Sequence, residues 1–116
     1  MKLVVCGGRN YDDRAFAYRA LDAAHARRAI TLLVHGDARG ADRIGRDWAA
    51  SRGIEHKAFP ADWKRHRKLA GPFRNQQMVD FGLDGCIAFP GGSGTADMRR
   101  RCMAANVPVW EPGVRP

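Results

Sequence analysis

Short runs of apolar residues alternate along the chain with longer amphipathic segments, and this alternation most constrains the fold. Five such runs occur, at residues 3–6, 30–34, 54–59, 85–89 and 107–110, and the one at residues 54–59 is weaker than the others. Runs of this length are typical of strands that are buried on both faces, as in a parallel sheet. Glycine or proline lies at the end of each of the first four runs, as expected where a strand meets a turn. The pattern therefore predicts five β-strands.

The segments between these runs have the character of helices. We predict four of them, at residues 12–28, 41–52, 72–81 and 95–105. Asp12 or Asp13 can cap the first helix, and Gly53 can end the second. Strands that alternate with helices in this way predict an α/β fold with a parallel sheet.

Glycine-rich turns follow the first, second and fourth predicted strands. Ligands of open parallel sheets bind at the carboxyl ends of the strands, near the point where the strand order reverses. The order 3-2-1-4-5 places strands two, one and four side by side, whereas the flavodoxin-like order 2-1-3-4-5 separates strand four from strand one. We therefore predict a Rossmann-like three-layer sandwich with a five-stranded parallel sheet in the order 3-2-1-4-5, in a single domain over residues 1–116.

The charge of the chain favours an anionic partner. Its 116 residues include 20 Lys and Arg against 12 Asp and Glu, which gives a formal net charge of +8. Sixteen of the basic residues are arginines, and arginine makes planar, bidentate contacts with phosphate. A basic surface that contacts only solvent is the alternative. Because the basic residues are spread along the chain, they favour a phosphate-bearing small ligand at least as much as a nucleic-acid polymer.

Several other classes of protein are not expected. The chain has no run of about 18 apolar residues that could span a membrane, and its first apolar run is too short for a signal peptide. Cys6, Cys86 and Cys102 are widely spaced and form no C-x-x-C motif, as is typical of reduced thiols in a cytoplasmic protein. We expect a cytoplasmic protein with no metal site, no cofactor and no membrane partner.

The sharpest motif is a glycine-rich segment between the fourth strand and the fourth helix, and its residues are Pro90, Gly91, Gly92, Ser93, Gly94 and Thr95. Glycines at such a junction let a phosphate approach the backbone, and the hydroxyls and the N–H groups of the next helix can donate hydrogen bonds to it. A tight turn with a small-residue cap is the alternative. The motif is neither a P-loop nor G-x-G-x-x-G. We predict that it binds phosphate.

Two more loops carry candidate ligand-binding residues. The loop after the first strand contains Gly7, Gly8 and Arg9, although a plain turn with a surface arginine is the alternative. The loop after the second strand contributes His35, Gly36, Arg39 and Asp42. His35 could contact a base or a phosphate. Asp42 could bind a ribose hydroxyl, although a role at the N-terminus of the next helix is the favoured interpretation.

A fourth group of candidates follows the third strand. Trp63 could stack on a base or simply cover the sheet, and the basic residues 64–68 could form a solvated loop or a mobile lid. Arg74 and Asn75 lie in the first turn of the predicted third helix, where they would face the ligand. A cation gains nothing from the dipole at a helix N-terminus, which favours a ligand-binding role for Arg74. We expect residues 99–101, three arginines, to face solvent.

Together these motifs resemble the SLOG superfamily of Rossmann-like domains, and especially its YspA/YpsA-related branch of bacterial and phage proteins. The matching segments lie at residues 7–9, 35–42, 60–63, 70–78 and 88–98. The superfamily includes the LOG-type phosphoribohydrolases and DNA-processing protein A. The resemblance implies binding of a nucleotide or a nucleotide-derived ligand, with hydrolysis of its N-glycosidic bond as a further option. Similarity to the dimeric LOG proteins implies a homodimer.

The LOG enzymes are similar to the chain in two stretches. Their R-K-x-x-M segment resembles residues 74–78, and their P-G-G-x-G-T-x-x-E segment resembles residues 90–98. The match implies Arg74 as one catalytic residue. The glutamate that those enzymes use is Met98 here, and the nearest carboxylate, Asp97, is the second catalytic candidate. A nucleotide-binding protein and a phosphoribohydrolase-like glycosidase both stay open.

A single-stranded DNA- or RNA-binding module is the alternative from a different class. It is suggested by the net charge of +8 and by the similarity to DNA-processing protein A. Single-strand binders stack successive bases on aromatic side chains, and the sequence shows no such series of aromatic residues. We therefore expect a nucleotide or a nucleotide-derived small molecule as the partner, with nucleic acid as the less favoured one.

Overall fold

The protein is built around one parallel sheet of five strands. A computed structural model describes residues 1–113, so the last three residues of the predicted domain lie outside it. The strands are β1 (Lys2–Cys6), β2 (Leu32–His35), β3 (Glu55–Ala58), β4 (Gly85–Ala88) and β5 (Val109–Trp110). They pair in the order β3-β2-β1-β4-β5, and every pair is parallel. The predicted fold class and strand order are confirmed.

Five α-helices connect the strands. They are α1 (Arg14–Arg27), α2 (Ala41–Ser51), α3 (Trp63–His66), α4 (Ala70–Phe81) and α5 (Ser93–Ala104), with a 3₁₀ turn over Arg67–Leu69 between α3 and α4. Asp13 caps α1, because its Oδ1 accepts a hydrogen bond from the Phe16 N–H at 3.1 Å. The four predicted helices are therefore present, and α3 is an addition to them.

Helices cover both faces of the sheet. Leu3 and Val5 of β1 belong to a core formed with α1 and α2, whereas Val4 and Cys6 belong to a second core formed with α4 and α5. Successive side chains of a strand point to opposite faces, so the two cores lie on opposite sides of the sheet. This arrangement gives the three layers that the sequence predicts.

The third strand differs from its predicted environment. We expected a strand buried on both faces, but all four residues of β3 are exposed. The strand lies at the edge of the sheet and pairs only with β2. Its sequence, which includes Glu55, His56 and Lys57, suits this position, because charged side chains protect an edge strand from pairing with other chains.

The segment between β3 and β4 also departs from the prediction. Residues 64–68, expected to form a loop or a lid, form α3 and the beginning of the 3₁₀ turn. Asp62 caps α3, since its Oδ1 accepts a hydrogen bond from the Arg65 N–H at 3.1 Å. Helix α4 begins at Ala70, two residues earlier than predicted. Arg74 therefore lies in the second turn of this helix and not in the first.

The part of the chain that the structure describes contains no helix long and apolar enough to cross a membrane. Across the same residues, no group of three or more His, Cys, Asp or Glu side chains is arranged to hold a metal ion. The three cysteines are unoxidised and buried. Cys6 Sγ lies 3.8 Å from Cys86 Sγ, and both belong to the core on the side of α4 and α5.

Candidate functional site

A cavity of about 680 Å³ lies at the carboxyl ends of β1 and β4. The strand order makes these two strands neighbours, so the loops that follow them meet at one edge of the sheet. Most of the site residues predicted from the sequence line this cavity, namely Gly7, Gly8, Arg9, Asp42, Trp63, Arg74, Asn75, Gly92, Ser93, Gly94, Thr95 and Asp97. Topology thus brings together residues that are far apart in the sequence.

The two glycine loops are in direct contact. The Gly8 N–H donates a hydrogen bond to the Pro90 carbonyl at 2.8 Å. A Cβ atom on Gly91 would clash with Thr95 Oγ1 and would lie 2.7 Å from the Gly8 nitrogen. By contrast, a Cβ atom on Gly92 or on Gly94 would meet nothing within 4 Å. Gly91 is therefore required for contact between the loops, whereas Gly92 and Gly94 leave the backbone open.

Helix α5 begins at the cavity. Ser93 is its first residue, Gly92 precedes it, and no side chain among residues 1–113 caps this end of the helix. The first N–H groups of a helix have no partners within the helix and carry a partial positive charge. The N-terminus of α5 can therefore bind an anion through its backbone.

Arg74 is the best-anchored cation of the cavity. Its Nη1 donates a hydrogen bond to the Gly36 carbonyl at 2.7 Å, and its Nε donates one to Asn75 Oδ1 at 3.0 Å. Within residues 1–113, its Nη2 has no hydrogen-bond partner. Burial lowers the pKa of Arg74, Asp42 opposes this effect and Arg9 adds to it, yet a guanidinium remains charged in proteins. An anion in the cavity would give this nitrogen a partner.

Asp42 holds the loop after β2 in place. Its Oδ2 accepts hydrogen bonds from the Gly36 N–H at 3.0 Å and from the Ala38 N–H at 3.3 Å. Asp42 lies at the N-terminus of α2, as expected, but within the first turn, and it does not cap the helix because Gly40 is the residue that precedes it. Burial raises the pKa of Asp42 to about 6, against the effect of the Ala38 hydrogen bond and of Arg74. Its carboxyl group lines the cavity, where it can accept a hydrogen bond from a hydroxyl.

Several predicted residues do not line this cavity. His35 is buried, its Nδ1 accepts a hydrogen bond from the Asp37 N–H at 3.1 Å, and its Nε2 lies 3.4 Å from His56 Nδ1. Burial, together with the nearby His56, lowers the pKa of His35 to about 4, although Asp37 opposes this. Outside the cavity wall also lie Gly36, Arg39, Pro90 and Gly91. Of these, Gly36 and Arg39 line a smaller neighbouring cavity.

Two cations of the cavity were not among the predicted site residues. Arg100 is exposed, as expected, and it also borders the cavity, as does Lys68. Ser93, Asp97 and Arg100 are spaced four and then three residues apart, so they lie on one face of α5. That spacing is the sequence signal that indicates Arg100. Lys68 has no comparable signal, because its position depends on the 3₁₀ turn.

Comparison with known proteins identifies the family. The model of the YAcAr family, described as the YspA, cpYpsA-related SLOG family, matches residues 1–66. The chain belongs to this SLOG family. It is also 38% identical to the Gene 61 protein of Mycobacterium phage D29, in an alignment of 125 positions that covers 99% of this chain and 98% of the relative. No solved structure matches the chain.

The predicted resemblance to the YspA-related SLOG branch is thus confirmed. The part of the chain that the SLOG family model matches includes the loops after β1 and β2. The loop at residues 90–95 lies beyond the matched part. Its assignment as a phosphate-binding loop therefore depends on its own sequence and geometry.

The two catalytic candidates of this SLOG protein, Arg74 and Asp97, both border the cavity. Arg74 has a side-chain nitrogen without a hydrogen-bond partner among residues 1–113, whereas the carboxylate of Asp97 is already paired. Asp97 Oδ2 accepts hydrogen bonds from Asn75 Nδ2 at 3.0 Å and from Arg101 Nε at 2.9 Å, and Arg100 Nη2 lies 3.6 Å from its Oδ1. Burial acts to raise the pKa of Asp97, but the hydrogen bonds from Arg101 and Asn75 lower it overall. A carboxylate stabilised in this way is a weak proton acceptor.

Met98 lies on the side of α5 that faces the core and the floor of the cavity. Its side chain is 1% exposed and packs in the core between the sheet and helices α4 and α5. A thioether offers neither a charge nor a proton to a reacting group. The cavity floor therefore has an apolar residue at the position that the predicted resemblance matches with the glutamate of the LOG enzymes.

Proposed function

We propose that this protein binds a nucleotide or a nucleotide-derived ligand, with a phosphate group at the N-terminus of α5. Membership of the SLOG family supports nucleotide-related binding in general. One observation carries the finer proposal. The open backbone at Gly92 and Gly94, the uncapped start of α5 and the guanidinium of Arg74 all border the same cavity. The volume of about 680 Å³ is that of a typical small-molecule site.

The phosphate interacts first with the backbone. The N–H groups at the start of α5 donate hydrogen bonds to its oxygens, and the hydroxyls of Ser93 and Thr95 lie in the same wall of the cavity. Gly92 and Gly94 have no side chain that would keep the phosphate away from these groups. Arg74 supplies a charge-assisted hydrogen bond from its free Nη2, which is stronger than one between neutral groups.

The nucleoside part lies toward Trp63 and Asp42. Trp63 is 48% exposed, and the Arg9 guanidinium lies 5.2 Å from the centroid of its ring. An exposed indole beside a cation offers a surface on which a base can stack. The carboxyl group of Asp42, which lines the same cavity, can accept a hydrogen bond from a ribose hydroxyl. These contacts add a base and a sugar to the phosphate site.

The proposal is binding without cleavage of the ligand. Hydrolysis of an N-glycosidic bond requires a group that activates water or stabilises positive charge on the ribose. Asp97 is paired with Asn75 and Arg101, and Met98 offers no carboxylate. The geometry therefore supports a binding protein better than a glycosidase.

A short single-stranded oligonucleotide is the second candidate ligand. The observation that favours it is the exposed face of α3, where Lys64 and Arg65 follow Trp63 at the edge of the cavity. Such a ligand would place one nucleotide in the cavity and its remaining phosphates along α3. Binding that neutralises several phosphates weakens steeply as the salt concentration rises, and this property distinguishes the two candidates.

Thermal-shift measurements test the proposal. The ligands are AMP, ADP-ribose and NAD, with adenosine as the unphosphorylated control and a short oligonucleotide as the comparison. A ligand at about 100 times its Kd stabilises the folded state by about 2.7 kcal/mol. We expect saturable stabilisation by at least one of the phosphorylated small molecules and little effect of adenosine. Stabilisation by the oligonucleotide alone, with a steep salt dependence, would support the second candidate, and no effect of any ligand would contradict both.

A further inference from the structure

A second, smaller cavity of about 210 Å³ lies beside the first. It is bounded by Gly36, which follows β2, and by Pro60 and Ala61, which follow β3. The first cavity lies at the ends of β1 and β4, so the two cavities lie along the same edge of the sheet. Their shared wall is formed by Arg9, Ala38, Trp63 and Arg74. The proposed function makes no use of this second cavity.

The second cavity is strongly basic. Its lining includes one carboxylate, Asp37, and four arginines, namely Arg9, Arg39, Arg43 and Arg74. Asp37 is already occupied, since its Oδ1 lies 3.6 Å from Arg46 Nη1 and 3.9 Å from Arg43 Nε. In the part of the chain that the structure describes, neither Arg9 nor Arg39 forms an ion pair. Uncompensated positive charge in a concave site favours an anion, and guanidinium groups suit phosphate.

Arg74 separates the two cavities and borders both. Its Nη1 donates to the Gly36 carbonyl at 2.7 Å and lies 3.5 Å from the Phe59 carbonyl, while its Nε donates to Asn75 Oδ1 at 3.0 Å. These contacts hold the guanidinium plane in place between the cavities. A ligand that occupies both cavities therefore places one anionic group on either side of this guanidinium.

We propose that the second cavity is a phosphate subsite, and that the ligand is a nucleoside bisphosphate with its phosphates on two different ribose hydroxyls. This inference rests on the proposed function, because it takes the first phosphate to lie at the N-terminus of α5. The two phosphates of a nucleoside diphosphate share a bridging oxygen, so they lie too close together to be on opposite sides of the Arg74 guanidinium, whereas phosphates on two ribose hydroxyls are separated by the sugar. The proposal involves binding only, and no bond is formed or broken.

The ligand class is tested by calorimetric titration at constant ionic strength. Four ligands are compared: AMP, ADP, adenosine 3′,5′-bisphosphate and adenosine 2′,5′-bisphosphate. ADP is the matched control, because it has the additional phosphate on the 5′ side. We expect one of the two bisphosphates to bind at least about tenfold more tightly than both AMP and ADP, because its second phosphate accepts an additional set of charge-assisted hydrogen bonds. Binding of ADP as tight as that of both bisphosphates would overturn the proposal.

Substitutions then locate the second phosphate. Arg39→Ala and Arg43→Ala each remove an arginine that borders only the second cavity. We expect each to reduce the bisphosphate-to-AMP affinity ratio by about fivefold to tenfold. Arg27→Ala is the matched control, because it removes an exposed arginine from the end of α1, and it should leave the ratio unchanged.

The possible failures are distinguishable. The second subsite would be overturned if Arg39→Ala and Arg43→Ala changed the bisphosphate-to-AMP affinity ratio no more than Arg27→Ala does. Tight binding of AMP in the same experiment would leave the proposed function intact. Failure of all four nucleotides to bind would overturn both the proposed function and this inference. Circular dichroism of each variant, recorded before titration, shows that the compared proteins are folded.

Discussion

Asn75 Nδ2 donates a hydrogen bond to Asp97 Oδ2 at 3.0 Å, and this bond joins α4 to α5 beside the cavity. Arg101 Nε donates to the same oxygen at 2.9 Å. Although burial acts in the opposite direction, these two bonds lower the pKa of Asp97. The carboxylate is therefore ionised at neutral pH and already has hydrogen-bond partners. Its role in this arrangement is to connect two helices.

This relationship predicts an absence of glycosidase activity. We expect the wild-type protein to bind AMP without releasing adenine above the uncatalysed rate, and we expect Asp97→Asn to behave in the same way. Chromatographic separation of adenine from AMP measures the release. Robust turnover by the wild type that disappears in Asp97→Asn would show that Asp97 is a catalytic carboxylate.

Substitution at Met98 provides the control for this assay. Met98→Glu places a carboxylate at the position that the predicted resemblance matches with the LOG glutamate, and Met98→Gln adds an amide of the same size without the charge. Because Met98 is 1% exposed, Met98→Gln should be destabilised by about 1–3 kcal/mol, and Met98→Glu by more, since a buried carboxylate costs more than a buried amide. Adenine release by Met98→Glu but not by Met98→Gln would indicate that the cavity lacks only this carboxylate.

Gly91 and Gly92 should differ in how they tolerate a methyl group. In Gly91→Ala the Cβ atom would clash with Thr95 Oγ1 and crowd the Gly8 nitrogen, which should cost about 1–3 kcal/mol, as overpacking does. Gly92→Ala is the matched variant, since its Cβ atom meets nothing within 4 Å. Urea unfolding measures both free energies. Equal stabilities of the two variants would argue against close contact between the loops.

Arg74 should recognise the phosphate and not the nucleoside. We expect Arg74→Ala to weaken AMP binding by about tenfold to a hundredfold, because a hydrogen bond to a charged group contributes about 1.5–3 kcal/mol. Adenosine binding should change far less, and Arg74→Lys should recover part of the loss. Calorimetric titration with both ligands measures the difference. If both ligands lose affinity equally, Arg74 acts through its hydrogen bond to the Gly36 carbonyl, by positioning the loop after β2.

The buried His35 should make stability depend on pH. Burial and His56 lower its pKa from the ordinary value of 6.5 to about 4. Between these two pH values the unfolded chain binds a proton that the folded chain does not, so acidification through this window lowers the free energy of unfolding. We expect the stability advantage of the wild type over His35→Gln to shrink as the pH falls from 6.5 to 4.

Asp42 changes the pH dependence of stability in the opposite direction to His35, so Asp42→Asn and His35→Gln must be measured separately. Burial raises its pKa to about 6, and the folded chain therefore holds a proton that the unfolded chain releases between about pH 4 and pH 6. Acidification in that range raises the stability of the wild type relative to Asp42→Asn.

Denaturant unfolding at several pH values measures the effects of both His35 and Asp42, with His66→Gln on α3 as the control for losing a histidine. Parallel pH curves for the wild type and His35→Gln would contradict the account of His35.

The strand order and most of the cavity wall could be predicted from the sequence. The loops after β1 and β4 are rich in glycine, and only an order that makes these strands neighbours lets both loops face one ligand. Residues 7–9 and 92–95 accordingly line the same cavity. Local composition was sufficient here, because a glycine-rich turn after an apolar run marks the carboxyl end of a strand.

The face of the sheet to which His35 points was not predicted, although the alternation of side chains along β2 indicates it. Leu33 and Val34 belong to the cores on opposite faces of the sheet, so His35 points to the face of Leu33 and away from α4 and α5. Helix α3 could not be predicted in the same way. It is four residues long and rich in charged side chains, so its sequence lacks the apolar periodicity that indicates a longer helix.

The most direct test of the central claim is calorimetric titration of Gly92→Val with the tightest-binding nucleotide of the thermal-shift panel. A Cβ atom at this position meets nothing within 4 Å, so the variant should fold, but the valine side chain would occupy the approach to the first N–H groups of α5. Ala23→Val adds the same side chain on the exposed surface of α1 and serves as the control. We expect wild-type affinity for Ala23→Val and no measurable binding to folded Gly92→Val. Unchanged affinity in folded Gly92→Val would contradict a phosphate site at residues 92–95.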